Sequence, residues 1–194
     1  MIEPFGIDEC WLDVTGSRLL FGSGEEIANK IRCEIKQKIG ITVSVGVSFN
    51  KVFAKLGSDM KKPDGVTVIS RDNFKDKIGR LPVSDLLFAG RKTTEKLRSC
   101  GVCTIGDAAV CSAETLERLL GKNGLELKRY ALGEDNSPVA RQDEKSVPKS
   151  IGRSVTRQSD FKTPDEIWGM FLRLSREISD SLREHGLYAG GVQV

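Results

Sequence analysis

The sequence predicts an α+β protein, on three observations. Short, β-branched, alternating runs cluster in the first 70 residues. From about residue 71 to 133 the apolar spacing is helical in short pieces. A polar stretch over 134–148 then precedes a last segment dominated by one amphipathic helix. Strands gathered at one end and helices after them, without strict alternation, are the mark of an α+β chain.

The elements follow in order. Residues 2–7 and 10–15 read as a β-hairpin bent near Gly6. Ser23 with Glu26 three residues on is a capping box, and it opens a helix. Ile27, Ile31, Ile35 and Ile39 give that helix one apolar face, and Gly40 ends it. Ile41 to Val47 is β-branched and alternating, a buried strand. Val52, Leu56 and Met60 have helical spacing across 49–61. Pro63-Asp64-Gly65 is a turn, and Val66 to Ile69 another strand, so the opening order is β-β-α-β-α-β. Helices are expected at 71–78, 82–87, 91–99, 104–110, 112–120 and 124–132. The 134–148 stretch contains two prolines and no periodicity, the composition of a linker. Lys149 to Thr156 reads as a strand. Thr163-Pro164 caps a long helix with proline at its first position, and residues 192–194 read as a further strand.

Composition narrows the function classes. The 194 residues are 39% hydrophobic and 29% charged, enough to bury a core in one large or two small domains. No apolar run approaches the roughly 18 residues of a membrane span, and Met1 leads directly into a strand, so no membrane partner and a cytoplasmic location are expected. The net charge of +3 is too small to establish a nucleic-acid partner. The five cysteines fit reduced thiols. Cys100-Gly-Val-Cys103 has zinc or redox spacing, but no second pair completes four ligands. His185, the one histidine, reads as a helix-end residue, which leaves serine–histidine hydrolysis no base.

Four segments carry chemistry. Asp8 and Glu9 are adjacent carboxylates. Neighbours in a strand point to opposite faces, so the two can share a metal only at a hairpin bend. There they would suit Mg²⁺, which takes one or two carboxylates plus substrate phosphates. As metal ligands they are expected to be close together, solvent-accessible and unpaired with lysines. The second segment runs from Val45 to Gly65, a strand, then a helix carrying Lys51 and Lys55 on one face, with Lys62 just past its end. The third is Leu87-Phe88-Ala89-Gly90-Arg91-Lys92-Thr93, followed by Cys100-Gly101-Val102 and Thr104-Ile105-Gly106-Asp107. It resembles a helix-hairpin-helix, which offers backbone N–H groups to a DNA phosphate without reading bases. The fourth is the basic run Lys149-Ser150-Ile151-Gly152-Arg153.

In this order the four segments resemble the Y-family of lesion-bypass DNA polymerases, of the bacterial polymerase IV and UmuC type. Ile7-Asp8-Glu9 is similar to the family's Ser-Ile-Asp-Glu motif, with Gly6 in place of Ser. Val45 to Gly65 matches the palm motif VGxSxNKxxAKxxSDxxKPxG at nearly every fixed position. The hairpin resembles the thumb, except that Phe88 stands where the first glycine of Gly-x-Gly is usual. Lys149 to Arg153 matches the opening of the little finger.

The resemblance implies a fold and a chemistry. Residues 1–80 would be the C-terminal part of the palm and 81–134 an all-helical thumb with a helix-hairpin-helix. A linker would follow at 135–148, then the N-terminal part of an α+β little finger at 149–194. The implied parent is an error-prone, template-directed translesion polymerase acting on primer–template DNA and deoxynucleoside triphosphates with two Mg²⁺ ions. Asp8 would bridge both metals, and Glu9 would help place the one that activates the primer hydroxyl. Lys62 would neutralise triphosphate charge. Ala89, Gly90, Lys92 and Thr93 would hold a DNA phosphate, and Lys149, Ser150 and Arg153 would follow the template backbone. Against the family pattern the sequence begins inside the palm and ends inside the little finger, so a fragment, inactive by itself, is expected. A clamp-binding peptide, which links relatives to a sliding clamp, would lie past the end. The alternative is a non-catalytic DNA-binding or clamp-interacting module. A nucleotide cyclase is disfavoured because its Gly-Gly-[Asp/Glu]-Glu-Phe signature is absent.

Overall fold

Gly6 turns the chain through its first reversal at φ +73°, a conformation open to glycine at little cost. It joins β1 (Ile2–Phe5) to an antiparallel β2 (Glu9–Leu12), with Ile2 opposite Leu12 and Phe5 opposite Glu9. The structure, a computed structural model, describes residues 1–141 and 147–194. It divides into two compact units, Met1–Glu144 and Lys145–Val194.

In the first unit, strand alternation sets Glu3, Phe5, Glu9 and Trp11 on the half-buried face of the hairpin and Ile2, Pro4, Cys10 and Leu12 on the open face. The second strand, expected to reach Thr15, ends at Leu12; a 3₁₀ turn (Thr15–Ser17) and a one-turn α1 (Arg18–Phe21), neither expected, follow. α2 (Gly24–Ile39) starts on the expected capping box: Ser23 Oγ accepts from Glu26 N at 3.2 Å, and Glu26 accepts from Ser23 N at 2.6 Å. β3 (Val45–Ser48) and β4 (Val66–Ile69) pair in parallel, Val45 opposite Val66, with α3 (Lys51–Met60) as the crossover. The strand expected from Ile41 begins only at Val45, because β4 offers partners from Val66 onward. The single layered sheet suggested by the element order is instead two two-stranded sheets.

α3 is amphipathic. Val52, Phe53 and Leu56 are buried in the core, whereas Lys51, Lys55 and Asp59 make ion pairs on the opposite side. It lies so close to β3 that a Cβ on Gly46 would sit 1.8 Å from Ala54 O.

The helical region matches its reading within a few residues: α4 (Phe74–Ile78), α5 (Arg91–Ser99), α6 (Ile105–Val110), α7 (Ala113–Leu120) and α8 (Lys122–Ala131). The helix expected at 82–87 is a 3₁₀ turn, Val83–Asp85. Pro82 bounds it, and Leu86 is already extended. One core joins Val52, Phe53, Leu56 and Ile69 to Leu86, Leu97, Ile105, Leu116, Leu127 and Ala131, so no break in packing falls at residue 80. The first part of the expected linker is tied down: Ala140 N donates to Glu3 at 2.6 Å, and Lys51 Nζ donates to Pro138 O at 3.1 Å. The rest of that linker lies partly outside the described residues.

The second unit is built on α9 (Pro164–Glu184), where Thr163 Oγ1 accepts from Glu166 N at 3.3 Å. The strands expected at 149–156 and 192–194 are absent among the described residues. A strand needs a partner for its backbone groups, and no neighbouring strand is present among the described residues of this unit. His185 ends α9, as expected. No described helix is long and apolar enough to cross a membrane.

Candidate active site and nucleic-acid interface

The turn Gly6–Asp8 presents Asp8 to solvent, with no hydrogen-bond or ion-pair partner among the described residues. Glu9, the first residue of β2, turns onto the inner face, towards α3. Asp8 thus stands in the bend and Glu9 beside it, the one presented to solvent and the other to α3. Glu9 nevertheless departs from expectation, because its carboxylate pairs with Lys55 Nζ at 2.9 Å. The reason is geometric: the inner face of the hairpin meets the Lys51–Lys55 face of α3, so each lysine finds an acid there. Glu9 stays 32% exposed, accessible to a competing cation.

Three contacts seat the hairpin beside α3. Lys51 Nζ lies 2.8 Å from both oxygens of Glu3. Trp11 Nε1 donates to Lys51 O at 3.0 Å, and the Lys51 ammonium stands 4.7 Å over the Trp11 ring. Phe5 packs on Trp11 at 4.4 Å between ring centroids. The hydrogen bonds from Lys51 and from Ala140 N hold the Glu3 carboxyl below its ordinary value.

From Glu9 a chain of alternating charge runs to Lys62. Lys55 also pairs with Asp59 at 2.7 Å, and Asp59 pairs with Lys62 at 2.7 Å. Partial burial opposes the ionisation of Asp59, yet the hydrogen bonds from Lys55 and Lys62 keep its carboxyl below the ordinary value. Burial likewise opposes the Lys55 charge, and the hydrogen bonds to Asp59 and Glu9 outweigh it, raising the ammonium's pKa. Asp64, in the left-handed region at φ +58°, anchors the turn after Lys62 by pairing with Arg32 at 2.8 Å and Lys36 at 2.6 Å of α2. Sequence reading noted Lys55 only as part of a basic face, gave Asp64 only as a turn residue, and missed Asp59. The i,i+4 spacing of Lys55 and Asp59 was the available clue.

In the hairpin before α5, Gly90 is the N-cap, and no side chain caps the helix. The first N–H groups of a helix have no partner within it, so those near Lys92 and Thr93 face outward, where the macrodipole favours an anion. Ala89 does not share this role through its amide: the side chain is buried, its N–H is bonded to Leu86 O at 3.0 Å, and its carbonyl accepts from Thr94 Oγ1 at 3.0 Å. Lys92, Thr93 and Lys96 line a depression of about 210 Å³ against Leu119, Leu120 and Asn123. Lys149, Ser150 and Arg153 are exposed in the second unit, and Arg153 donates to Gly152 O at 3.0 Å. Cys100 and Cys103 are free and exposed. Among the described residues no group of three or more histidine, cysteine or acidic side chains could hold a metal ion.

Comparison with known proteins agrees with the sequence resemblance. The impB/mucB/samB family profile matches residues 1–59, and the impB/mucB/samB family C-terminal domain matches residues 148–194. DNA polymerase IV of Acetivibrio thermocellus is 52% identical over 193 residues, which cover 100% of this chain and 48% of the relative. DNA polymerase IV of Desulfatibacillum aliphaticivorans is 39% identical over 95% of this chain and 46% of its own length. A Y-family DNA polymerase chimera of Dbh and Dpo4 superposes with a TM-score of 0.76 at 31% identity, over 92% of this chain and 52% of the chimera. An insertion ternary complex of Dbh DNA polymerase gives 0.65 at 35% identity, over 71% and 41%. The chain spans about half the length of the curated relatives it matches. It belongs to the Y-family of DNA polymerases, the impB/mucB/samB group that includes DNA polymerase IV.

Proposed function

We propose that these residues supply the catalytic carboxylates, the thumb and part of the template-side surface of a translesion DNA polymerase. The reading rests above all on one observation: Asp8 is exposed and unpartnered at a bend beside Glu9, and a line of charges leads from Glu9 to Lys62. The donor set suits Mg²⁺. It offers two adjacent carboxylates, one free and one neutralised only by an ammonium that a divalent ion can displace, and leaves room for phosphate oxygens. Such ions, when bound, would supply positive charge to the triphosphate and the primer hydroxyl.

The chain's own residues do the rest. Asp8 and Glu9 supply the oxygen ligands. Lys55 orients the Glu9 carboxylate through their 2.9 Å ion pair while no divalent ion is bound. Lys62, on a turn fixed by Asp64, is a flexible ammonium able to leave Asp59 for a triphosphate oxygen. The free N–H groups at Gly90, Lys92 and Thr93 hold a backbone phosphate of the primer–template duplex, as positioning contacts that carry no sequence information. Lys149, Ser150 and Arg153 track the template strand electrostatically. Tested alone, the 194 residues are expected to bind DNA without extending a primer. That pairing alone keeps the second reading, a DNA-binding module, in view for the isolated chain.

The test is a chimera in which this chain replaces the matching 193 residues of the Acetivibrio thermocellus polymerase. It should extend a primer with Mg²⁺. Asp8→Ala should abolish extension and leave DNA affinity nearly unchanged, because phosphate contacts elsewhere dominate binding. Extension at a normal rate by the Asp8→Ala chimera would overturn the assignment.

A further inference from the structure

The thumb hairpin carries an aromatic residue that its packing does not explain. Phe88 adopts φ +68°, a conformation that any β-carbon makes costly. The residue is 68% exposed, and its ring meets Tyr130 only at 6.2 Å between centroids. Burial therefore returns little for the strain, and glycine at this position would relieve it outright. Strain held at an exposed residue is a pointer to function.

Two residues on, Gly90 opens α5 without a side-chain cap. Lys92 and Lys96 follow on one face of that helix, with no ion-pair partner among the described residues, and line the shallow depression beside Leu119, Leu120 and Asn123. An exposed ring a few residues from ammonium groups that have no ion-pair partner among the described residues is a combination that can hold a nucleic-acid strand: cations take the phosphates, and the aromatic face takes a base or sugar.

We propose that Phe88 is a DNA contact, stacking its free ring face on a base or deoxyribose next to the phosphate held at the start of α5. This rests on the DNA reading of the thumb and goes beyond it, since the amides and lysines supply only charge. The ring adds an apolar contact that salt does not screen.

The two kinds of contact separate in one experiment on the 194-residue chain: titration of a fluorescein-labelled primer–template with a single-stranded overhang, across a series of salt concentrations. Phe88→Gly should weaken binding by roughly five- to a hundredfold, the range for losing one stacking contact, with an unchanged slope of log affinity against log salt. Phe88→Trp should bind within about twofold of the parent chain, and Phe88→Leu should behave like the glycine variant. Lys92→Ala should lower affinity and flatten the salt slope by about one. The glycine variant should melt no earlier than the parent chain, so lost binding is not lost folding. Unchanged or tighter binding by Phe88→Gly, with Lys92→Ala impaired, overturns the stacking role and leaves the phosphate site standing. No binding by the parent chain even at low salt overturns the DNA reading of the thumb and this proposal with it.

Discussion

Lys55→Met removes the ammonium shared by Glu9 and Asp59 and keeps most of the apolar stem. The lysine side chain is 19% exposed, and its two partners lie at 2.9 and 2.7 Å. Fully exposed ion pairs contribute about 0.2–1 kcal/mol, and hydrogen bonds to charged groups about 1.5–3 kcal/mol. Half-buried pairs fall between. Asp59 keeps Lys62 after the substitution, so the expected loss is about 1–2 kcal/mol, or roughly 3–8 °C in Tm for a unit of this size. The pH profile carries the signature. Lys55 has a raised pKa, so its contribution is complete below its unfolded value of 10.5 and fades as pH climbs through the folded value. Asp59 has a lowered pKa, so its contribution is present above its unfolded value of 3.8 and is lost as pH falls through the folded value. The stability gap between parent and variant should be widest from about pH 4 to pH 10 and narrow on either side. Urea denaturation followed by circular dichroism measures it, and a cycle with Asp59→Asn isolates that pair. A gap below about 0.5 kcal/mol at pH 7, or one that persists undiminished at pH 2, would refute the coupled-charge account.

Gly46→Ala should destabilise the first unit by about 3 kcal/mol, the upper end for overpacking, read by urea melts, because the new methyl meets the carbonyl of Ala54 and backbone cannot yield as a side chain does. Lys62→Ala, in the polymerase chimera, should raise the nucleotide KM or slow insertion by roughly 1–3 kcal/mol, with DNA Kd little changed in equilibrium titration; an equal loss of DNA affinity would move Lys62 to the duplex.

Legibility in the sequence tracked locality. Helices with a cap and a full apolar face, α2 and α9, were readable to within a residue or two because Ser23, Glu26, Thr163 and Pro164 act over three or four positions. The stretch from Val45 to Gly65 was readable because its glycine, asparagine and turn residues each serve a local need, as Gly46 does beneath α3. Strand limits were not, since β3 is only as long as β4 allows, and Lys149 to Thr156 lacks a partner however strand-like its composition. Asp8 was legible as an exposed carboxylate at a bend. The Lys55 partner of Glu9 was not, because it depends on which face of α3 meets the hairpin across more than 40 positions of chain. Phe88 was legible as a departure from Gly-x-Gly, but its left-handed backbone was not.

α3 serves two masters. One side of this ten-residue helix grips the hairpin that bears Asp8 and Glu9, and the other is buried with Leu97, Leu127 and Ala131. Phe49, Phe53 and Phe74 interlock at 5.5–5.9 Å, and Gly133 lies against the Phe53 ring. The stretches before and after residue 80 are therefore not separate folding units. A cut at residue 80 would strip the covering from Phe53 and Leu56 and leave a sticky helix in place of a smaller domain. Any exchange of the helical region with a relative needs its seam elsewhere, past Gly133, with the apolar side of α3 travelling along.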